Sequence, residues 1–401
     1  MSALLPVEQA LAQVLSSARP VRDVVELPLL DAHGYVLACD IVSSIDVPGD
    51  DNSAMDGYAL RASEAGQALP VSQRIPAGSL GSALASATAA RIFTGAPVPP
   101  GADAVVMQED CAERDGVLSI SGSVKVGQNI RPRGQDIAAG ATVLEKGRIL
   151  RPQDIGLLAS IGLGTVSVYR PLRVAVLSTG DELVEPGSGE LCSGQLYNSN
   201  RYTLASLLRS LSLEIIDGGI VADDADITAR ALRGAASGAD CVITSGGVSV
   251  GDEDHVKNQV ERLGQLDLWK LAIKPGKPLA FGRIGDTPFI GLPGNPTSVF
   301  VTFCLIARPF LLKLQGVAEP ELPRFQASAA FTVDKPGGRQ EYMRVTLVNT
   351  SRGLQATKFS NQSSGVLSSV SHSNAFAVIP PGTTVSDGDL VEVIPLDSLA
   401  R

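Results

Sequence analysis

Apolar and polar positions along this chain change their period several times. The opening PVEQALAQVLSSA sets Val7, Leu11, Val14 and Leu15 on one face at helical spacing, which predicts an amphipathic first helix. From about Val24 to Tyr169, short apolar runs such as AVVM, ATVL and VSVY alternate with turns such as PGDDNS, PVPPGAD and RPRGQD, a strand-rich texture. One helical stretch, RPQDIGLLASIG, interrupts it. At Arg170-Pro171-Leu172 the pattern switches. RVAVLSTGDEL begins with a buried strand, and NSNRYTLASLLRSL follows as a capped helix with Leu204, Leu207, Leu208 and Leu211 on one face. Strand LEIIDGGIV, helix ADITARALRGAA, strand DCVIT and helix EDHVKNQVERL come next. Strands LAIK, PLAFGRI and PFIGL precede a closing helix, TSVFVTFCLIARPFLLKL. Such alternation predicts a doubly wound α/β sheet. Beyond about Pro320, EYMRVTLV, NAFAVIP and DLVEVIPL read as strands between glycine-rich turns, a small β-barrel.

These switches set an α/β domain (171–318) and a C-terminal β-barrel (319–401) apart from a strand-rich N-terminal half. The fold class is multidomain α/β plus β. A length of 401 residues accommodates roughly two to four domains.

Composition narrows the chemistry. A net charge of −9 argues against a general nucleic-acid binder, which needs a basic face. The most apolar run, from Val299 to Ala307, is too short to cross a membrane and meets Arg308-Pro309. The N-terminus has no basic, signal-like region, so a cytoplasmic location is expected. Five cysteines at wide spacings read as reduced thiols. With only His33, His255 and His372, any metal is expected to be a hard cation on oxygen ligands.

In an open α/β sheet, ligands sit beyond the carboxyl ends of the strands. Here those ends carry Asp181 and Glu182, then Asp223, then SGGVSVGDED, then Lys274 and Lys277, then PGNPTS. The Ser245-Gly246-Gly247 turn, the Pro293-Gly294-Asn295-Pro296 turn at a helix start, and Lys270, Lys274 and Lys277 are anion binders. Asp181, Glu182, Asp223, Asp252 and Asp254 are cation binders. Both sets serve one ligand if it is a phosphate or oxyanion carried with Mg²⁺. Asp223, Asp252 and Glu253 also stand where helix caps belong, and a glycine-rich turn after a strand is often only a turn.

The stretches DNSAMDGYA, RIFTGAPVPPGADAVV, IRPRGQDI, STGDEL, NSN, SGGVSVGDEDHVK, IKPGKPLAFG and GLPGNPTS together resemble the molybdopterin molybdenumtransferases, the MoeA and gephyrin E-domain family. The resemblance runs from the N-terminus into the β tail. It implies an elongated four-domain subunit, with an N-terminal and linker domain (1–45 with 138–170), a strand-rich domain carrying SAMDGYA (46–137), the α/β domain (171–318) and the barrel (319–401), in a homodimer whose cleft is shared between the α/β domain of one copy and the SAMDGYA segment of the other. The implied reaction inserts molybdate into adenylylated molybdopterin, with Mg²⁺ and release of AMP, giving molybdenum cofactor. Carried over by motif, Asp56, Thr94 and Asp136 face the partner's cleft. Glu182, Asp223 and Asp254 line it from the α/β side as catalytic or metal-binding groups. Pro293 and Pro296 shape its loop, and Lys270, Lys274, Arg344 and Ser364 hold anions. One departure is Asp50, where the family usually carries an aromatic residue.

The resemblance also implies transient contact with molybdopterin adenylyltransferase and with apoenzymes that accept the cofactor. Two other readings stand beside it: an adenylyltransferase built on a similar α/β module, and a gephyrin-like peptide-binding scaffold. The SAMDGYA domain argues against the first. Carboxylates and lysines kept along the ligand rim argue against the second.

Overall fold

The structure, a computed structural model, describes residues 4–248, 255–320 and 322–399. The first helix, Val7–Ser17, buries Val7, Ala10 and Val14. These side chains enter the central core with Phe303 and Leu311 rather than joining the linker domain. The linker domain consists of short antiparallel pairs, Val24–Pro28 with Thr165–Tyr169 and Ile41–Val42 with Thr142–Leu144. Its own small core holds Leu29, Leu37, Leu150, Leu158 and Val168. Two-stranded ribbons offer little apolar area, so the helix seats on the larger surface of Arg308–Leu314. The group 1–45 therefore includes a helix that packs into the central core.

The strand-rich domain is a six-stranded sheet, with Gly57–Leu60 between Ala104–Met107 and Ala89–Ile92. Alternation sends Tyr58 and Leu60 into one cluster with Leu69 and Leu118. Ala59 faces the other way, toward Ile75 and Ile92.

The α/β sheet also has six strands, ordered Glu214–Val221, Arg173–Thr179, Cys241–Ser245, Thr287–Leu292, Pro278–Ile284, Gly264–Lys270. The first four are parallel, and Pro278–Ile284 runs antiparallel to both Thr287–Leu292 and Gly264–Lys270. Register pairs Thr179 with Val221, Ser178 with Ser245, and Ser245 with Leu292. The parallel strands thus end level, and the loops after them share one rim. Two expectations need correction. The outer strand is Gly264–Lys270, and LAIK does not join this sheet. Only Ile273–Lys274 is extended there, and it pairs with Gln340 and Glu341 of the barrel.

Pro296–Thr302, a π turn at Phe303–Ala307 and Arg308–Leu314 form one continuous helix through the core. Proline lacks the N–H that an α-helical interior requires, and a π turn absorbs such a mismatch without ending the helix. Arg308-Pro309 therefore does not end the helix. Its span Pro296–Leu314 has a mean hydropathy of 1.6 and is 89% buried inside the protein, as befits a core helix.

The C-terminal strands Gln340–Thr350, Gly353–Lys358, Phe325–Ala329, Leu390–Pro395 and Ala375–Ile379 pair in that order. Ala375–Ile379 returns to Gln340–Thr350 and closes the barrel. Its interior holds Ala329, Met343, Val345 and Val393. Outward-facing Tyr342 and Phe376 join the central core.

Candidate active site

A cleft of about 580 Å³ opens at the level carboxyl ends of the parallel strands. Glu182 and Asp223 line it, as do Ser245, Gly246, Gly247, Pro293, Gly294, Asn295 and Pro296. The structure thus gathers candidate cation binders and candidate anion turns from four loops into one place.

Each loop has a local reason for its course. Asp224, not Asp223, caps helix Ala225–Gly238, accepting from Asp226 N at 2.9 Å and Ile227 N at 2.8 Å. Asp223 is thereby spared as a cap and sits at the cleft. Its N–H donates to Asp181 Oδ1 at 3.0 Å, while Asp181 N donates weakly to Asp223 Oδ2 at 3.4 Å, joining the two acidic loops. Gly246 and Gly247 have φ of +88° and +66°, the left-handed region. A Cβ at Gly246 would sit 2.8 Å from Thr179 O, so the turn lies directly on the neighbouring strand.

Beneath this turn lies a buried polar floor. Ser245 Oγ donates to Ser178 Oγ at 3.3 Å, and Ser178 Oγ donates to Asn198 Oδ1 at 3.4 Å. Asn198 also caps helix Ser199–Ser210 through Arg201 N. Thr179 Oγ1 and Asn198 Nδ2 are buried here without a hydrogen-bond partner among the described residues. Asn200 Nδ2 donates to Gly294 O at 2.7 Å and ties the PGN turn to this helix start. Sequence reasoning assigned no role to Thr179, Asn198 or Asn200. The quoted NSN stretch was the available signal.

The barrel reaches the cleft through Ser364. Asn295 Nδ2 donates to Ser364 Oγ at 3.2 Å, and Thr297 N donates to Ser364 O at 3.0 Å. Arg344 stands behind that segment, fully buried. Its guanidinium donates to Ser369 Oγ at 3.1 Å, and to Tyr342 O and Ser363 O at 3.3 Å each. Burial pushes its pKa down to about 10. In this arrangement Arg344 braces the Ser363–Ser364 segment, and its own surface is closed to a ligand.

The remaining expected residues lie elsewhere. Lys274 pairs with Glu341 at 3.0 Å, at the junction with the barrel. Lys270 and Lys277 flank the turn that follows the outer strand, and none of the three lysines lines the cleft. Asp56 and Thr94 form a unit in the strand-rich domain, where Thr94 N and Thr94 Oγ1 each donate to Asp56 Oδ1 at 2.8 Å. The Thr94 N–H, then its hydroxyl, hold the Asp56 carboxyl below the usual carboxylate range. Asp136 is exposed in the same half of the chain, with its N–H on Val47 O at 2.9 Å. Asp50 is exposed in a groove with Asp51, Pro97 and Arg133. Asp252, Glu253 and Asp254 lie outside the described residues.

A level rim of glycine and proline turns facing two carboxylates marks one ligand cleft on the α/β domain. Its setting between strand-rich domains and a barrel narrows the class further. Residues 5–162 match the MoeA N-terminal region (domain I and II), 175–313 a probable molybdopterin binding domain, and 326–396 the MoeA C-terminal region (domain IV). A molybdopterin molybdenumtransferase of Haemophilus influenzae is 41% identical, covering 99% of this chain and all of that one. One from Nostoc is 37% identical over 91% of this chain and 87% of its own. The crystal structure of a molybdopterin biosynthesis MoeA protein from Pyrococcus horikoshii superposes with a TM-score of 0.85, at 31% identity over 98% of this chain and 100% of that one. The chain belongs to the molybdopterin molybdenumtransferases, a family of transferases.

Proposed function

We propose that this chain inserts molybdate into adenylylated molybdopterin, releases AMP in a Mg²⁺-dependent step and so completes molybdenum cofactor. The observation that carries the reading is the single cleft that joins Glu182 and Asp223 to the Gly246–Gly247 and Pro293–Pro296 turns. No group of three or more His, Cys, Asp or Glu that could hold a metal occurs among the described residues. Two cleft carboxylates still suit Mg²⁺, which keeps waters and phosphate oxygens among its ligands. Glu182, Asp223 or Asp254 would hold the ion, and it would neutralise charge on the phosphates when bound.

The chain's own groups do the rest. N–H groups of the glycine turn and of the Pro293–Pro296 turn would orient the pyrophosphate. Both turns are held before substrate arrives, one against Thr179 and the other by Asn200 and Ser364. Such preorganisation spares the site reorganisation during reaction. With histidine absent from the described cleft lining, carboxylates would take up or return protons.

Asp56 and Thr94 line no part of this cleft, which favours a homodimer in which a second copy brings them to it. In that scheme molybdopterin adenylyltransferase supplies the substrate, and apoenzymes accept the product. The test is AMP release from adenylylated molybdopterin with Mg²⁺, with and without molybdate. Molybdate-dependent release that falls strongly in Glu182→Gln and Asp254→Ala is expected. Release that ignores both molybdate and Asp254→Ala would overturn the assignment. A strictly monomeric yet fully active protein in solution would overturn the shared cleft.

A further inference from the structure

Strand register sets two arginines side by side in the strand-rich domain. Arg74 on Leu69–Ile75 pairs directly with Arg91 on Ala89–Ile92. Like charges opposite one another weaken a strand pair, so sheet stability does not account for them. Both guanidiniums lie over one ring. Arg74 Cζ is 4.6 Å from the Phe93 centroid, and Arg91 Cζ is 4.7 Å from it. Arg91 is further fixed 5.0 Å from the Tyr58 centroid, with donations to Gly57 O at 3.1 Å and Gln108 Oε1 at 2.7 Å.

Arg74 is exposed and has no hydrogen-bond or ion-pair partner among the described residues. Asp56 and Glu113 form no ion pair with these arginines, although the Arg91 charge does reach Asp56. Asp56 accepts from Thr94, and Glu113 accepts from Tyr58 Oη at 2.6 Å. A ring face holds guanidinium charge in place without neutralising it. The result is two concentrated, oriented cations directly beside the Thr94 turn.

We propose that Arg74 and Arg91, mounted on Phe93, bind a multiply charged oxyanion next to the Asp56–Thr94 unit. Forked guanidinium donors match the oxygens of such an anion, and its charge relieves the repulsion between them. Under the proposed function the oxyanion is either molybdate or the phosphate of the adenylyl group. The site itself rests on the geometry, and only the choice of anion rests on that reading.

Titration calorimetry on the full chain, with molybdate and AMP in separate arms, tests it. Arg74→Gln is expected to weaken one of the two about tenfold, the loss of one charge-assisted hydrogen bond. The affected arm names the anion. Phe93→Leu, which keeps both charges but removes their mount, is expected to weaken the same arm. Unchanged affinity for both anions in a normally melting Arg74→Gln protein overturns the site, as does a wild-type chain that binds neither. Should Arg74→Gln melt early, Arg74→Lys replaces it, since it keeps the charge and loses the fork. Wild-type affinity for both anions in Arg74→Lys then overturns the site. The enzymatic reading fails separately, if the wild-type chain shows no molybdate-dependent AMP release.

Discussion

Gly247→Ala is the sharpest test of the cleft's construction. Gly247 has φ of +66°, and an added Cβ would meet Val256 Cγ2 at 2.5 Å and Val256 Cβ at 2.9 Å. Left-handed backbone costs a non-glycine residue about 1–2 kcal/mol. Forcing a methyl into a packed contact costs about 1–3 kcal/mol more. Val256 cannot swing aside freely, because it is 2% exposed within the sheet's second core, beside Val242 and Val260. A total of roughly 2–5 kcal/mol follows, which lowers the melting point of a domain this size by at least about 4 °C. The anion turn shifts as well, so substrate-dependent AMP release should fall with it. Gly294→Ala is the internal control, since its Cβ would meet only Gly246 Cα at an ordinary 3.9 Å. It places a methyl at the cleft with little strain, so melting should hold while substrate KM rises. Calorimetric melting and AMP release on both variants make the comparison. Equal melting of Gly247→Ala and wild type would refute the argument from the turn. The pair Gly247→Ala with Val256→Ala should cost less than the sum of its parts, by about 0.5–3 kcal/mol, as expected of groups in contact.

Other outcomes follow from the same geometry. Arg344→Lys keeps the charge but cannot serve Ser369, Tyr342 and Ser363 together, so a loss of about 1–3 kcal/mol in thermal stability is expected, with KM rising more than kcat falls. For Asp154, burial pushes the carboxyl up, but hydrogen bonds from Arg151 and Arg148 outweigh it and hold the pKa at about 2, below its ordinary 3.8. Its contribution of about 2 kcal/mol is therefore present above about pH 4 and lost as pH falls through 2; chemical denaturation of Asp154→Asn against wild type should show the full gap at pH 7 and little near pH 2. Chelation of divalent ions should abolish AMP release and added Mg²⁺ restore it, measured by AMP chromatography; release that survives chelation would remove Glu182 and Asp223 from the metal role.

Much of the fold was legible because burial leaves a period in the chain. Leu204, Leu207 and Leu208 at helical spacing are buried in the observed helix. The strand endings of the parallel sheet, read in order, named Glu182, Asp223, Gly246, Gly247 and the Pro293–Pro296 turn, all of which line one cleft. Local signals were less reliable where two elements compete for one partner. The helix Val7–Ser17 has a clear apolar face, but nothing within it says whether that face meets its sequence neighbours or the distant helix Arg308–Leu314. LAIK has strand composition, yet only Ile273–Lys274 pairs, and its partner is the barrel.

The sequence by itself determined most of the elements and which residue types stand at each strand end, because these depend on local conformation and burial period. Tertiary structure alone decided which groups are free to act. Asp224 caps its helix and spares Asp223. Arg344 is walled in behind Ser363, and Arg74 is set against Arg91 on Phe93. In each case the deciding partner lies in another turn, strand or loop, and a donor or charge is spent or left available only once packing has brought that partner within a few ångströms.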